Sequence, residues 1–436
     1  MKASYRTASE ELAARTAGPG WLGTLRQAGL SRFEEVGFPS SRDEEWRFTP
    51  VTPIARAAFQ PAEAPARPVT AADLARFTFG HPEWPTLVFV NGRLAPELST
   101  RPALPEGTVL TSLAEALASH PELVEPHLAR QAGPEATPFT ALNAAFIQDG
   151  AFVRIPKNAD LRDPIHLVFV TSADAGGRMT HPRNLVVVEA GARASLVESY
   201  FGLSDEAAYL TNAVTEVVLA ENAWLEHPRL QREGEAAYHI AFSHVHQARD
   251  SHYRSFTLSM GSALSRHNLH TRLNAPNTEA LLYGLTIAHR DQLVDNHTAI
   301  DHVQPDCRSW EVYKAILDER ARGVFNGKVY VTPEAQKTDA KQTNRALLLS
   351  DEARIDTKPQ LEIFADDVKC THGATVGYLD ELPLFYFRSR GIPAEQSKQL
   401  LTYAFAAEVM DEVKVEPVRA ELDRVVRERL GIGNGE

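Results

Sequence analysis

Residues 277–287 read NTEALLYGLTI, and three similar segments follow before Gly377: RSWEVYKAIL (308–317), ARGVFNGKVYV (321–331) and PQLEIF (359–364). Each segment mixes apolar and polar residues in alternation and is rich in β-branched and aromatic side chains. Gly, Asn, Asp or Pro interrupts the segments, and no amphipathic pattern of helix length appears between them. The sequence therefore predicts β-strands in this part of the chain.

The strand segments recur at a nearly constant interval. Their starts are residues 261, 277, 291, 307, 321, 335, 351 and 366, so two steps make a unit of about 30 residues, a period that indicates a solenoid. A parallel β-helix with two strands per coil explains both the period and the alternation. Leucine-rich and ankyrin repeats need a helix in every unit. An antiparallel sandwich with coincidental spacing is the remaining alternative.

Composition and charge narrow the function classes. The chain of 436 residues has a formal net charge of -12, whereas nucleic-acid-binding surfaces are rich in clustered Lys and Arg. No apolar run approaches the roughly 18 residues of a membrane span, and the N-terminus, MKASYRTASEELAART, lacks the apolar core of a secretory signal. We expect a cytoplasmic protein that binds neither nucleic acid nor a membrane.

The sequence divides into three predicted regions: a mostly helical N-terminal region (1–150), a β-helix core (151–380) and a C-terminal helical domain (381–436). In the last region Leu401, Phe405 and Val409 repeat every four residues, and Val418 and Leu422 continue this pattern on a second helix. The resulting apolar stripe either packs on the end of the solenoid, which needs a cap, or binds a partner protein. The pattern leaves both options open.

The chain has two cysteines, Cys307 and Cys370, which is too few for a disulfide framework. They are 63 residues apart in the sequence, or about two coils of the predicted solenoid. At about 4.8 Å per coil the thiols lie about 10 Å apart, too far for a disulfide. We also expect that they do not share a small metal site.

Histidine is locally enriched, since ten of the sixteen residues lie between His227 and His302. His244 and His246 share one face of a strand, and carboxylates such as Asp295 follow nearby. Imidazole and carboxylate groups at alternating positions are able to ligate zinc or iron, so a metal-buffering protein is one hypothesis. The alternative is a solvated outer face of the solenoid.

The segment ADDVKCTHGATVG (365–377) holds the sharpest group of candidate functional residues. On a strand, Cys370 and His372 point to one side and Lys369 to the other. The imidazole and the ammonium group are able to lower the pKa of the thiol and keep a reactive or metal-ligating thiolate available. The alternative is a buried thiol beside a hydrogen-bonded histidine.

Motifs of familiar enzyme classes are absent from the sequence, which has no Ser-centred nucleophile elbow, no HExxH and no CxxC pair. Residues 323–329, GVFNGKV, differ from a phosphate-binding loop in spacing and lack its Ser or Thr. We therefore expect a protein that is not an enzyme and does not itself hydrolyse ATP.

Several longer motifs resemble those of a known protein family. They are DEEWRFT (43–49), YK (313–314), GVFNGKV (323–329), AQKTDAKQ (335–342), LLLS (347–350), residues 361–377 and LFYFRSRGI (384–392). Together they resemble the SufB/SufD family, the scaffold subunits of the Suf machinery for iron–sulfur cluster assembly. The length of the chain, the EWRFT segment and the scarcity of cysteines favour the SufD branch.

The resemblance implies a right-handed parallel β-helix between N- and C-terminal helical regions. It also implies a complex with the paralogous scaffold SufB and the ABC-type ATPase SufC, or a pair of identical chains in isolation. The C-terminal helices are expected to dock the ATPase, and the apolar residues assigned to this contact are Leu401, Phe405, Val409, Val418 and Leu422.

Cys370 and His372 match the site of the family at the SufB interface, where His372 is expected to help hold or build the nascent cluster. The resemblance implies no tightly bound cofactor; a transient iron–sulfur cluster at this interface, with metal contact by His372 or Cys370, is the one ligand expected. Such clusters usually take four ligands, mostly Cys thiolates. Two separated thiols supply one or two of these at most, which favours a site shared with another chain.

Two alternative functions for this chain remain. In the first, it is a SufB-like paralogue that itself carries the nascent cluster. In the second, it is a β-helix protein that acts on polysaccharides, which needs a groove rich in acidic and aromatic side chains.

Overall fold

Two stacks of parallel strands form the centre of the computed structural model, which describes residues 2–16 and 18–432. Residues 1 and 17 of the predicted N-terminal region and residues 433–436 of the predicted C-terminal region lie outside these ranges. The strands are β1 (Gln60–Pro61), β2 (Thr86–Val90), β3 (Arg93–Leu94), β4 (Val109–Ser112), β5 (Ala151–Ile155), β6 (Ile165–Thr171), β7 (Arg178–Thr180), β8 (Arg183–Val188), β9 (Arg193–Gly202), β10 (Leu210–Leu219), β11 (Trp224–Arg232), β12 (Tyr238–Gln247), β13 (His252–Met260), β14 (Leu264–Leu273), β15 (Glu279–Ala288), β16 (Leu293–His302), β17 (Arg308–Leu317), β18 (Arg322–Val331), β19 (Asp339–Leu348), β20 (Arg354–Ile363) and β21 (Lys369–Gly377).

Helices flank the strands at both ends of the chain. They are α1 (Lys2–Arg15), α2 (Gly20–Val36), α3 (Thr52–Ala57), α4 (Ala71–Leu74), α5 (Leu113–Ser119), α6 (Pro121–Val124), α7 (Pro138–Ala145), α8 (Glu381–Ser389), α9 (Ala394–Met410) and α10 (Glu416–Arg429). Short 3₁₀ turns occur at Glu44–Trp46, Ala75–Phe77 and Pro96–Leu98. Among the described residues, no helix is long and apolar enough to cross a membrane.

The strands alternate between two sheets. Even-numbered strands from β8 to β20 lie side by side in sheet A, and odd-numbered strands from β9 to β21 lie side by side in sheet B. Leu264 pairs with Leu293, which pairs with Arg322, so neighbouring coils are 29 residues apart here. The predicted parallel β-helix with two strands per coil and flanking helices is confirmed, with about eight turns.

Polar turn residues shape the corners between strands. Asn277 and Asp306 adopt left-handed backbone conformations, with φ of 60° and 63°. Asn and Asp tolerate this region better than other residues with a side chain at Cβ. The interruptions in the sequence therefore mark the corners of the coils.

Large side chains fill the interior of the solenoid, called the bore below, and require glycine opposite them. A Cβ on Gly284 would lie 2.3 Å from Cε1 of Tyr313, and one on Gly327 would lie 2.1 Å from the amide nitrogen of Gln342. Both distances are far shorter than any tolerated contact. Gly327, part of the motif that differs from a phosphate loop, thus makes room for Gln342.

The N-terminal region shares the sheets of the solenoid. Strand β2 pairs in parallel with β6 of sheet B, and β4 pairs with β5 of sheet A. Helix α7 packs against α2 and β10. The N-terminal region is therefore a mixed layer that adds strands to both sheets, and the division near residue 150 remains a prediction.

The DEEWRFT motif attaches the N-terminal region to the outer face of sheet A. The guanidinium of Arg266 stacks 3.8 Å from the ring centroid of Trp46 and donates to the backbone oxygen of Glu45 at 2.5 Å. It also pairs with Asp295 at 2.9 Å, and Asp295 accepts a hydrogen bond from Thr49. The motif therefore has a structural role in this chain.

The C-terminal helices lie along the side of the solenoid. Val409, Val418 and Leu422 are buried in one apolar cluster with Tyr283 and Leu285 of β15. Of the two options that the sequence leaves open, the structure has packing on the solenoid, but on the outer face of sheet B and not on the end of the solenoid.

Lys314 attaches α9 to the solenoid. Its side chain is buried, its Nζ donates to the backbone oxygen of Phe405 at 2.9 Å, and it forms an ion pair with Glu408. Hydrogen bonds that involve a charged group contribute about 1.5–3 kcal/mol each. We expect Lys314→Met to speed amide hydrogen exchange in α9 and α10 by about 10- to 100-fold, measured by mass spectrometry.

The matched control for this prediction is Lys328→Met. Lys328 lies on the outer face of sheet A, where it pairs with the exposed Glu362. This variant is expected to leave exchange in the tail unchanged. Equal exchange in the tail of both variants would contradict the anchoring role of Lys314.

Candidate functional site

The last coil of the solenoid is open. Strands β20 and β21 are the outermost strands of the two sheets, and most of their side chains are half-buried or exposed. Residues paired in register between parallel strands point to the same side of a sheet. A residue of β20 or β21 therefore faces the bore when its partner on β18 or β19 faces the bore. We call these side chains the mouth: Ile355, Thr357, Pro359, Leu361, Ile363, Cys370, His372, Ala374 and Val376.

Cys370 and His372 lie together in the mouth. Cys370 pairs in register with the buried Ala340, and His372 pairs with the buried Gln342. The two side chains start about 7 Å apart along the strand and face the axis of the solenoid. The predicted shared face is present, and both groups are accessible from the open end.

The thiol of Cys370 is not activated by its neighbours. Burial raises the pKa of Cys370, and a hydrogen bond from the backbone of Ala340 only partly opposes this effect. Of the two alternatives for this thiol, the structure therefore favours the unactivated one, because neither His372 nor Lys369 is among the groups that shift the pKa of Cys370. In the chain alone Cys370 is a neutral thiol.

Cys307 has a structural environment. It is fully buried beside β17, accepts a hydrogen bond from Thr278 at 3.0 Å, and burial raises the pKa of its thiol. Both cysteines are free. The register places Cys307 two coils away from the strand of Cys370, as the sequence predicts.

Exposed apolar side chains surround the mouth. Besides Ile363 and Val376 of the mouth itself, the large apolar side chains exposed near it among the described residues are Phe364, Tyr378, Leu382, Phe385 and Tyr386. We call these five residues, which follow β20 and β21 or lie on α8, the rim. Helix α8 has no buried residue. A large apolar patch beside two unpaired strand edges is typical of a surface that another protein covers.

A polar column lies behind the mouth in the bore. Glu311, Gln342 and His372 pair in register on three successive coils of sheet B. Glu311 is fully buried, and one of its carboxyl oxygens accepts from Gln342 at 2.8 Å. Its other oxygen is buried and has no hydrogen-bond partner. Glu311 is not among the candidate functional residues predicted from the sequence.

Two buried carboxyl groups of the bore differ in charge for a physical reason. Burial alone raises the pKa of Glu198, but a hydrogen bond from His227 and the charges of His227 and Arg229 bring it down to about 2. Glu311 has no cation beside it among the described residues. Burial therefore raises the pKa of Glu311 to about 7, against the weaker opposing effects of the nearby Thr298 hydroxyl and of the Gln342 amide.

The raised pKa of Glu311 predicts a pH-dependent stability. The folded chain holds this proton up to about pH 7, whereas an unfolded glutamate loses it near pH 4.5. Folding is therefore favoured by protonation, and the free energy of unfolding falls by about 3 kcal/mol as the pH rises through this window. We expect Glu311→Gln to remove this fall and to be more stable than the wild type at pH 8.

Denaturant unfolding at pH 5 and pH 8 measures this effect. Glu362→Gln, which removes an outward-facing carboxylate of the last coil, is expected to follow the wild type. Parallel pH profiles for wild type and Glu311→Gln would show that Glu311 titrates normally.

The histidine-rich stretch is divided between the two surfaces of the solenoid. His244 and His270 lie on the outer face of sheet A with ring centroids 4.8 Å apart, whereas His227 and His302 form hydrogen bonds inside the bore. Within residues 2–16 and 18–432, no three His, Cys, Asp or Glu side chains form a group suited to a metal ion. The structure therefore does not support the metal-buffering hypothesis.

The residues predicted to dock an ATPase mostly face the solenoid. Val409, Val418 and Leu422 are buried, and Leu401 and Phe405 are half-buried. The ring of Phe405 lies 4.5 Å from the Nζ of Lys314. In this arrangement the stripe holds the tail in place, so docking by these side chains remains a prediction.

Comparison with known proteins identifies the family to which the chain is similar. Residues 169–405 match the family model described as SUF system FeS cluster assembly, SufBD core domain, and residues 3–167 match the SufBD protein N-terminal region. An iron-sulfur cluster assembly SufBD family protein of Synechocystis is 37% identical over 408 residues, which cover 92% of this chain and 89% of that protein.

Two proteins named SufD are also similar. Iron-sulfur cluster assembly protein SufD of Escherichia coli is 31% identical over 406 residues, covering 93% of this chain and 92% of that protein. The Bacillus subtilis protein of the same name is 26% identical over 421 residues, covering 94% of each. The resemblance in the sequence motifs is confirmed. This chain belongs to the SufBD family of iron–sulfur cluster assembly proteins.

Proposed function

We propose that this chain is a non-enzymatic scaffold subunit of a cytoplasmic Suf complex. It pairs with a SufB paralogue through the mouth and the rim, and its C-terminal helices dock the ATPase SufC. The iron–sulfur cluster is the cargo of this complex. Family membership supports the Suf role, and the open last coil supports the pairing.

The observation that carries the pairing is the combination of open edges and exposed apolar side chains. The edges of β20 and β21 present unpaired backbone groups, and such edges pair readily with another chain. Phe364, Val376 and Tyr378 are 59%, 49% and 60% exposed beside them. A partner that covers this surface buries the apolar groups and places its own residues opposite Cys370 and His372.

The number of ligands that an iron–sulfur cluster takes favours a site shared between this chain and its partner. Cys370 and His372 supply two ligands, whereas a cluster usually takes four. Burial keeps the thiol of Cys370 neutral, and metal binding deprotonates such a thiol. A partner that contributes further ligands and a metal ion therefore changes the chemistry of this site when the mouth is covered.

Docking of the ATPase involves the tail as an anchored unit. Arg254 pairs with Glu412 at 2.8 Å and Arg232 pairs with Glu421 at 2.7 Å, so the turn between α9 and α10 and the middle of α10 are attached to sheet B. Movement of the tail by an ATPase is in this way transmitted to the strands that lead to the mouth.

Anaerobic co-expression with a SufB paralogue and the ATPase tests the proposal. We expect the three proteins to purify together, and His372→Ala to lower the cluster content of the complex by about tenfold or more while the subunits still associate. Absorption spectroscopy and iron and sulfide analysis measure this content. His372 is exposed in the chain alone, so its removal is not expected to affect folding.

His252→Ala is the matched control, because His252 lies on the outer face of sheet B, stacked on Trp224. It is expected to leave the cluster content unchanged. Purification of this chain only as a pair of identical subunits, or an unchanged cluster content in His372→Ala, would contradict the proposed role.

A further inference from the structure

The bore behind the mouth contains a carboxyl group that family membership does not explain. Glu311 is fully buried, and a buried carboxylate without a cation is strongly disfavoured relative to the neutral acid. Its one hydrogen bond comes from the amide of Gln342, 2.8 Å away. The hydroxyl of Thr298 lies nearby and forms no hydrogen bond. The site therefore favours a carboxyl group that gains and loses a proton near neutral pH.

The titratable and charged groups around Glu311 are neutral or distant. Tyr313 lies two positions along the same strand, and burial raises the pKa of its hydroxyl. His302 of β16 binds Ser309 at 2.9 Å, and burial lowers the pKa of this histidine to about 4. Arg229 lies three coils deeper in register with Tyr313. His372 on β21 faces the column from the mouth.

Polar atoms without partners connect Glu311 to the mouth. Buried side-chain oxygens without a hydrogen-bond partner occur on Glu311, Gln342, Asn344 and Thr357. Thr357 belongs to the last coil and Gln342 to the coil before it. Buried polar groups in native proteins are almost always bonded, by water where no protein group is available. This column therefore offers the hydrogen-bond partners that a short file of water molecules between Glu311 and the mouth needs.

Cluster assembly releases protons at the place where this file ends. When a hydrosulfide bound to one iron becomes a sulfide that bridges two, its S–H bond breaks as the second S–Fe bond forms. The iron and sulfur keep their oxidation states, and one proton must leave. A partner that covers the mouth separates this site from bulk water.

We propose that Glu311 is the internal proton acceptor of the mouth. The proton lost by the hydrosulfide moves along the water file past Gln342 and converts the carboxylate of Glu311 into the neutral acid. Opening of the mouth later returns this proton to solvent. This inference rests on the proposed function, since it needs a partner that covers the mouth and iron and sulfide as cargo.

Infrared difference spectroscopy of the co-purified complex tests the inference. Fe(II) and sulfide are added anaerobically at pH 7.5, in H2O and in D2O. In the wild type we expect the C=O stretch of a protonated carboxyl group to appear on cluster formation and to shift in D2O. In Glu311→Gln this band is expected to be absent, and in Glu362→Gln to be present.

The rate of cluster formation is a second readout. A positioned base contributes about 100-fold or more, and leakage of bulk water reduces this advantage. We expect Glu311→Gln to form clusters about tenfold more slowly at pH 7.5, with a flatter rate profile between pH 6 and pH 8. The inference would be overturned if Glu311→Gln showed the same C=O band as the wild type. It would also be overturned if the pH dependence of the rate of cluster formation were unchanged in this variant.

A second variant covers the case in which Glu311→Gln does not fold. Gln342→Leu removes the amide that donates to the carboxylate, so the band of Glu311 is expected to titrate at higher pH than in the wild type; an unchanged titration would overturn the inference. Failure of the complex to form, or no effect of His372→Ala, overturns the proposed function as well. A normal complex with a normal His372 effect and no Glu311 band overturns the proton acceptor alone.

Discussion

Replacement of Glu216 by alanine lowers the free energy of unfolding by about 3–5 kcal/mol. Arg183 and Glu216 form an ion pair of 2.5 Å in which both side chains are fully buried. Glu216 also accepts hydrogen bonds from the backbone of Ala129, Gln131 and Ala132 at 2.7–3.1 Å. The substitution leaves a buried guanidinium without its counter-charge and three N–H groups without an acceptor.

Equilibrium denaturation followed by circular dichroism measures this loss. Glu221→Ala, which removes an exposed carboxylate in the turn after the same strand, is expected to change the stability by less than about 0.5 kcal/mol. A loss below about 1 kcal/mol for Glu216→Ala would mean that this pair does not hold the N-terminal layer on sheet A.

The double variant Phe364→Asp with Val376→Asp weakens binding of the SufB paralogue by about 100-fold or more. Burial of a large apolar side chain contributes about 1.5–3 kcal/mol, and each tenfold change in affinity corresponds to about 1.4 kcal/mol. Both residues are about half exposed in the chain alone. The variant is therefore expected to fold normally and to lose the partner because two charges enter a covered apolar surface.

Affinity measurements with purified proteins test this expectation. Trp310→Asp is the matched control, because Trp310 is 48% exposed on the side of the solenoid, where Lys341 stacks on its ring. It is expected to bind the partner as the wild type does. Equal weakening by Trp310→Asp would locate the interface along the side of the solenoid and not at the mouth.

The period of the sequence was sufficient to predict the coils. Asn277 and Asp306 interrupt the strands at the corners, and the spacing between such corners reflects the length of a strand and a turn. The same spacing correctly separated Cys307 from Cys370 by two coils. These features depend on local backbone geometry, which the order of residues determines directly.

The side chains that fill the bore could not be predicted from the sequence in the same way. In RSWEVYKAIL, hydrophobicity favours an inward Trp310 and an outward Glu311, but the structure has Trp310 exposed and Glu311 fully buried. Tyr313 sets this register, because its ring fits over Gly284 of the neighbouring coil. Glycines within predicted strands, such as Gly284, indicate that a large side chain lies opposite. Which side chain this is follows only from the pairing of strands between neighbouring coils.

The tail shows a similar limit. The stripe of Val409, Val418 and Leu422 was recognised as apolar, but an amphipathic pattern does not identify the surface that covers it. The structure assigns it to β15 and its neighbours. For Cys370 the sequence left an activated and an unactivated thiol open, because adjacency in sequence does not measure burial, and burial has the largest effect on the pKa of this thiol.

Hydrogen exchange of this chain with and without the SufB paralogue tests the central claim most directly. The open last coil predicts that the partner slows exchange of the backbone amides in Arg354–Ile363 and Lys369–Gly377, and leaves β9 to β15 unchanged. Protection along the side of the solenoid, with unchanged exchange in these two strands, would contradict the account.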